Sequence, residues 1–215
     1  FGFSCPIIFA LLVNEIKNVR FKKFVQTTSY MPHFISTVVV AGMVYSFIVP
    51  EGLVNQLLGL FGIPPKAYNV DPKAFDWIYV ITNIWKTFGW SSILYLSSIS
   101  SIDTQLYESA KIDGANRLQR MFYITLPSMS NIILIQLIFA IGSLLGSNTE
   151  LILLLYNQAT YSRADVIGTY VYRDGLLAGR FSYGTAVNMF VSVVNVILLV
   201  IANKFSTKYA NFGLW

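Results

Sequence analysis

Apolar residues occur along this chain in long runs separated by short polar segments, a pattern typical of helices that cross a lipid bilayer. The runs predict an incomplete span over residues 1–13 and further spans over 34–49, 76–97, 128–147 and 181–202. A complete span needs about 20 residues. We therefore expect residues 1–13 to be the end of a span that begins earlier, in a longer protein. The fold class predicted is all-α integral membrane, a polytopic helical bundle with about five visible spans, the first incomplete.

Basic residues predict which side of the membrane each polar segment faces. Residues 14–33 contain the densest basic group in the chain, and the positive-inside rule places it in the cytoplasm. This orientation makes residues 98–127 cytoplasmic as well, and it makes residues 50–75 and 148–180 outer loops. The basic group predicts a helix along the membrane surface, broken at Met31–Pro32 before the next span. Its members are Lys17, Arg20, Lys22 and Lys23.

Composition supports a membrane protein and excludes several other classes. Of 215 residues, 55% are hydrophobic and 12% are charged, whereas soluble domains carry about 25% charged residues. The net charge of +5 is not arranged as a Lys/Arg stripe with interleaved aromatic residues, so we expect a lipid bilayer and no nucleic acid as partner. His33 is the only histidine and Cys5 the only cysteine. We therefore expect no metal site, no catalytic set and no enzymatic activity.

A charged, glycine-containing segment lies between two predicted spans at Glu108–Pro127, with the sequence ESAKIDGANRLQRMFYITLP. Asp103 or Thr104 is suited to cap a helix that enters this segment. Gly114 costs about 1 kcal/mol inside an exposed helix, so we expect the helix to end and the chain to bend there, or another backbone to approach closely. An ordinary amphipathic loop remains an alternative. Two ion pairs can form here, Glu108 with Lys111 and Asp113 with Arg117.

The spacing of this segment resembles the EAA motif of permease subunits of binding-protein-dependent ABC importers. The one departure is Ser109, a small residue where that family usually has Ala. The pieces TYVYRDGL, FSYGTAV and GLW near the end of the chain resemble the polysaccharide-permease group of the carbohydrate-importing branch. The matching residues are Glu108, Ala110, Gly114, Ile124, Leu126 and Pro127.

The resemblance implies a fold, partners and a mechanism. It implies one transmembrane permease domain over residues 1–215 with the type I ABC importer permease fold, multi-pass in a bacterial cell membrane. Its partners would be a second permease subunit, two cytoplasmic ATPase subunits and an extracytoplasmic solute-binding protein. ATP and Mg²⁺ would be held by the ATPases, since the chain lacks a phosphate-binding loop motif. The ATPase-coupling residues would be Glu108, Ser109, Ala110, Asp113, Gly114 and Ala115.

A substrate pathway is predicted from side chains suited to sugars, which need aromatic faces for stacking and polar groups for their hydroxyls. The span 76–97 contributes an Asn-x-Trp segment that also occurs in related sugar permeases. Interfacial aromatic residues and a snorkelling lysine are the alternative for this span, and ordinary helix–helix hydrogen bonds are the alternative for the next one. The candidates are Asn83, Trp85, Lys86 and Trp90, with Ser143, Ser147 and Asn148 predicted on one face of the following helix.

The function predicted is ATP-driven import of an oligosaccharide or glycan fragment by alternating access. The alternative is an ion-coupled secondary transporter or channel. Such proteins use carboxylates or an ion relay inside the membrane, and the interiors of the predicted spans lack them.

Overall fold

The structure is a computed structural model that describes residues 2–146, 148–210 and 213–214. Regular structure in these residues is helical, and they contain no strand, which confirms the predicted all-α class. Short 3₁₀ and π-helical segments interrupt the α-helices at Tyr68–Val70, Met121–Thr125 and Val171–Leu177. The helices are α1 (Ser4–Asn14), α2 (Val19–Phe34), α3 (Thr37–Ile48), α4 (Leu53–Gly59), α5 (Pro72–Ser100), α6 (Thr104–Ile112), α7 (Arg117–Arg120), α8 (Leu126–Ser128), α9 (Ser130–Gly142), α10 (Thr149–Leu155), α11 (Tyr161–Ala164), α12 (Ile167–Tyr170) and α13 (Phe181–Ala210).

The first of two compact units takes its residues from the ranges 1–33, 87–144 and 194–215. Its core joins side chains of α1, the second half of α5 and the residue before α9. Gly89 in α5 lies against the backbone of α2, since a Cβ there would stand 2.0 Å from the Ser29 carbonyl oxygen. The unit therefore depends on a close helix crossing that only glycine permits. The buried core residues are Ala10, Leu11, Val13, Tyr95, Leu96, Ile99 and Met129.

The second compact unit consists of residues 34–86 and 145–193. Helix α10 is too short to cross a bilayer and packs into the core of this unit, with Leu151 fully buried. Asn55 in α4 is 4% exposed. Its amide donates to the carbonyls of Val49 and Lys66 and accepts from the Lys66 N–H, which fixes the loop after α4. The buried apolar core residues are Ala41, Phe75, Leu151, Ile152, Leu155 and Ala164.

In the described residues, fewer helices than the five predicted spans are both long and apolar enough to cross a membrane. Among the described residues, two segments are long and apolar enough to cross, Thr37–Gly59 and Phe181–Lys208, and a third counts if Arg117–Ser128 and Ser130–Gly142 form one bent span. Helix α5 has 29 residues, but its charged and polar side chains lower its mean hydropathy, so it is not among these segments. The number of spans therefore stays a prediction.

Two predicted helix boundaries are wrong. Helix α2 continues through Pro32 to Phe34, and the break falls at Ile35–Ser36. The buried Pro32 ring lies in the last turn, where loss of one backbone hydrogen bond does not stop the helix. The span predicted over 128–147 is also not one straight helix. It bends by 61° where α8 meets α9, at Met129, and α9 ends at Gly142.

Candidate functional site

Helix α6 carries three of the predicted coupling residues, Glu108, Ser109 and Ala110. The Oδ1 atom of Asp103 accepts from the Gln105 N–H at 2.9 Å, so Asp103 caps the helix as predicted. Ser109 donates to the Gln105 carbonyl of its own helix at 3.0 Å. This internal bond explains why a hydroxyl is tolerated where Ala is usual. Glu108 and Ser109 are exposed, so both are available to a second protein.

Gly114 ends α6 in the way the sequence predicted. Its φ angle is +81°, in the left-handed region that glycine enters without strain. The Gly114 N–H donates to the Lys111 carbonyl at 3.2 Å, and the Ala115 N–H donates to the Ala110 carbonyl at 2.8 Å. These two bonds form a Schellman turn, which satisfies carbonyls at the end of the helix. A Cβ at Gly114 would meet nothing within 4 Å, so the turn requires glycine for its φ angle and not for space.

The two ion pairs predicted in this segment do not form. Among the described residues, salt bridges involve other groups, and Glu108, Lys111, Asp113 and Arg117 are all exposed. Helix α7 instead begins with a capping box, in which Asn116 and Gln119 exchange side-chain and backbone hydrogen bonds of 2.7 and 2.9 Å. The charges of α6 are therefore left facing outward.

The turn between α6 and α7 borders a surface cleft of about 340 Å³. Four predicted coupling residues line it together, whereas Glu108 and Ser109 stand outside it. Its other wall comes from four residues between 119 and 124. Of these, the sequence had singled out only Ile124, as a position of the motif. The lining residues are Ala110, Asp113, Gly114, Ala115, Gln119, Arg120, Tyr123 and Ile124.

Large apolar side chains that line this cleft or lie close to it in sequence are exposed. Ile112 is 86% exposed and Tyr123 is 80% exposed. Leu106 and Leu118 are exposed as well. Large apolar side chains grouped at a surface with charged neighbours mark sites of protein–protein interaction. The cleft and its surroundings have the character of a docking surface.

Two predicted pathway residues, Asn83 and Asn148, meet in the second unit. The Asn148 side-chain amide donates to Asn83 Oδ1 at 3.4 Å, and its backbone N–H donates to the Tyr79 hydroxyl at 3.2 Å. Asn148 also caps α10, where its Oδ1 accepts from the Leu151 N–H. Tyr79 was missed by sequence reasoning, although it lies one helical turn before Asn83. The three side chains form a half-buried polar group.

Lys86, the charge predicted near the middle of a span, has a backbone partner. Its Nζ donates to the Ile35 carbonyl at 2.5 Å. Ile35 lies in the break between α2 and α3, where carbonyls lack helical partners. A carbonyl at a helix end thus stabilises the ammonium group. This partner lies 51 residues away in the sequence. It was not part of either predicted role for Lys86, snorkelling or lining the pathway.

Of the remaining pathway candidates, Trp85 and Trp90 are exposed, at 40% and 45%. The Trp90 ring stacks on His33, with ring centroids 4.6 Å apart and planes within 1°. Ser143 donates to the Phe139 carbonyl of α9 at 3.0 Å. Its predicted place on a common helix face is wrong, because α9 ends at Gly142. Ser147 lies outside the described residues.

Two charged residues of a predicted outer loop, Arg173 and Asp165, form an ion pair. Arg173 donates to Asp165 at 2.9 Å and lies over the rings of Tyr161 and Tyr170. Arg173 lowers the pKa of Asp165, with a further contribution from the Thr169 hydroxyl. In the described residues, no group of three or more His, Cys, Asp or Glu is arranged to hold a metal ion.

A sequence model of the family described as "Binding-protein-dependent transport system inner membrane component" matches residues 2–211. The chain is similar to the Polygalacturonan/rhamnogalacturonan transport system permease protein YteP of Bacillus subtilis (strain 168). Identity is 42% over 214 residues, which is 99% of this chain and 67% of that protein. Protein LplB of the same organism is 38% identical over 216 residues, 100% of this chain and 68% of LplB.

Two solved structures of bacterial ABC transporters are also similar to this chain. The chain resembles a bacterial ABC transporter involved in the import of the acidic polysaccharide alginate, with a TM-score of 0.94, 43% identity, and coverage of 97% of this chain and 73% of that one. A bacterial alginate ABC transporter in complex with an alginate pentasaccharide-bound periplasmic protein gives a TM-score of 0.96 at 43% identity, covering 100% of this chain and 75% of that one.

Proposed function

Because this chain belongs to the family of inner membrane components of binding-protein-dependent transport systems, we propose that it is a transmembrane subunit of an ATP-driven importer of oligosaccharides. It acts as a permease and not as an enzyme. The observation that carries the proposal is the exposed turn at Gly114, where α6 ends beside a cleft bordered by exposed apolar side chains. Exposed apolar side chains beside charged ones are the chemistry of a surface that binds another protein.

The turn at Gly114 is the point at which ATPase subunits would engage the chain. ATP and Mg²⁺ are bound by two such subunits, and their closure displaces α6. Displacement of α6 then moves the membrane helices between inward-open and outward-open states. Unpaired charges on Glu108, Lys111 and Asp113 favour a charged partner surface, because intrachain ion pairs do not compensate them in the described part of the chain.

The grouping of the two units supports the predicted orientation. The basic segment, the polar segment around Gly114 and the end of the chain all belong to the first unit. Both predicted outer loops belong to the second. A solute-binding protein would dock on these outer loops and release sugar to a pathway formed with a second permease subunit, in a multi-pass arrangement in the bacterial inner membrane.

The substrate class that fits best is an acidic oligosaccharide. One similar structure belongs to an importer of an acidic polysaccharide. This chain carries a cation, Lys86, within a predicted span, with the hydrogen-bonded amides of Asn83 and Asn148 also in the second unit. An ammonium group attracts carboxylates, while amides bind hydroxyls. Lys86 would thus favour carboxylated sugars over neutral ones.

The test is uptake in proteoliposomes that hold the full assembly: this chain, its partner permease, both ATPase subunits and the binding protein. We expect ATP-dependent uptake of an alginate pentasaccharide. Glu108→Lys should abolish ATPase association and uptake while membrane insertion stays normal. Glu51→Lys, an exposed charge reversal in a predicted outer loop, is the matched control for ATPase association. Uptake that persists without the ATPases and follows an ion gradient would instead identify a secondary transporter or channel.

A further inference from the structure

One hydrogen bond joins α6 to the segment that leads into the next membrane helix. The Tyr107 hydroxyl and the Thr125 hydroxyl lie 2.9 Å apart, across 18 residues of sequence. Thr125 is 1% exposed and Tyr107 is half-buried. Helix α6 itself contains no fully buried residue. The docking helix therefore has little core packing of its own, and the hydroxyl pair is a specific attachment at its centre.

Thr125 lies at the end of a π-helical segment, Met121–Thr125. In this wider turn, the Thr125 hydroxyl reaches the Arg120 carbonyl, five residues back, at 3.4 Å. One arrangement satisfies both contacts: Thr125 donates to Arg120, and Tyr107 donates to Thr125. π-helical turns are rare and recur at functional sites, and here the hydroxyls of Tyr107 and Thr125 bond across the wide turn.

The same residue is attached to the core of the first unit. The Thr125 carbonyl accepts from the Met129 N–H at 3.1 Å. Met129 is fully buried and packs in the cluster with Leu11 and Tyr95. A continuous set of contacts thus runs from α6 through Tyr107 and Thr125 to the bend at which α9 begins.

We propose that Tyr107 and Thr125 are a positioning pair that transmits displacement of α6 to α9. The inference rests on the proposed function, in which α6 is the element moved by the ATPases. Neither residue needs to touch ATPase or sugar. Loss of the pair would leave ATPase docking intact and weaken the link between ATP hydrolysis and the movement of the membrane helix.

The experiment compares Tyr107→Phe, Thr125→Val and Thr125→Ser in the reconstituted full assembly, with the alginate pentasaccharide-loaded binding protein as stimulus. The readout is sugar taken up per ATP hydrolysed. One hydrogen bond contributes about 0.5–1.5 kcal/mol, so we expect Tyr107→Phe and Thr125→Val each to lower this ratio by about two- to tenfold. Thr125→Ser keeps the hydroxyl and should restore the ratio.

Three controls make the outcome specific. The double variant Tyr107→Phe/Thr125→Val should be no worse than the more affected single variant, because both remove the same bond. Thr207→Val removes a hydroxyl that bonds to the Asn203 carbonyl of its own helix at 3.0 Å, and should leave the ratio unchanged. Copurification with the partner permease and the ATPases reports folding and docking.

A normal uptake ratio in Tyr107→Phe, or additive losses in the double variant, would overturn the positioning role. Loss of ATPase copurification in Tyr107→Phe would also overturn it, since the pair would then shape the docking surface. The proposed function fails on a different result, namely normal ATPase association in Glu108→Lys. The two failures are therefore distinguishable.

Discussion

Substitution of Gly114 is the most specific test of the docking surface, because its only physical cost is backbone strain. Its φ angle is +81°, and an added Cβ would meet no atom within 4 Å. Gly114→Ala therefore introduces no clash within the chain. It introduces only the cost of the left-handed conformation for a residue with a Cβ, about 1–2 kcal/mol.

This cost sets the expected effect on ATPase binding. In the alanine variant, the chain can relieve this strain by adopting a backbone conformation other than the Schellman turn. Binding of the ATPase must then restore the turn, and the cost of restoring it weakens binding. The Kd for the ATPase subunits should rise by at most the corresponding factor, about five- to thirtyfold. Gly114→Asn should cost less, since Asn enters the left-handed region more readily. Gly114→Trp should abolish association, because its ring would occupy the cleft bordered by Ala110 and Ala115.

The assay is titration of purified ATPase subunits onto the permease pair in nanodiscs. Gly62→Ala is the matched control, because Gly62 has a φ angle of +76° and equally open space around its Cβ position. It lies in a predicted outer loop and should leave the Kd unchanged. Equal Kd values for Gly114→Ala, Gly62→Ala and the unmodified chain would refute the view that the turn's shape is used in docking.

Three further predictions concern the second unit. Asn148→Ala should reduce uptake without loss of assembly, and unchanged uptake would remove the Asn83–Asn148 pair from the pathway. Lys86→Gln should reduce uptake of alginate pentasaccharide more than uptake of a neutral pentasaccharide; an equal loss for both would show that the Ile35 contact, and not substrate charge, explains the lysine. Asp165 has a lowered pKa because Arg173 donates to it. The stability from this pair is therefore complete above the ordinary carboxyl pKa and is lost as pH falls through the lowered one. The side chains are about a third exposed, so Asp165→Asn should cost at most about 1 kcal/mol, and melting temperatures at pH 7 and pH 3 should differ less in the variant.

Local chemistry of the sequence was enough to predict the ends of several helices. Asp103 was predicted as a cap and Gly114 as a helix end, because both effects depend on residues within one or two turns.

Features that depend on distant partners could not be predicted in this way. The carbonyl bound by Lys86 lies 51 residues away, and the Tyr107–Thr125 contact joins elements 18 residues apart. Pro32 was expected to end α2, yet its ring is buried in the last turn. In these cases tertiary contacts determined the result, whereas local preference only biased it. The 61° bend at Met129 differs, because it follows Pro127 and the π-helical segment Met121–Thr125, and both are local causes of helix kinks.

The central claim is that the surface around Gly114 contacts a cytoplasmic ATPase. It is tested most directly by placing a photo-cross-linking residue at Ile112, which is 86% exposed beside the cleft, in the assembled importer. The control position is Leu60, an equally apolar and 80% exposed side chain in a predicted outer loop. The account predicts cross-links from position 112 to an ATPase subunit and none from position 60. Absence of an ATPase cross-link at position 112, or its appearance at position 60, would contradict the account.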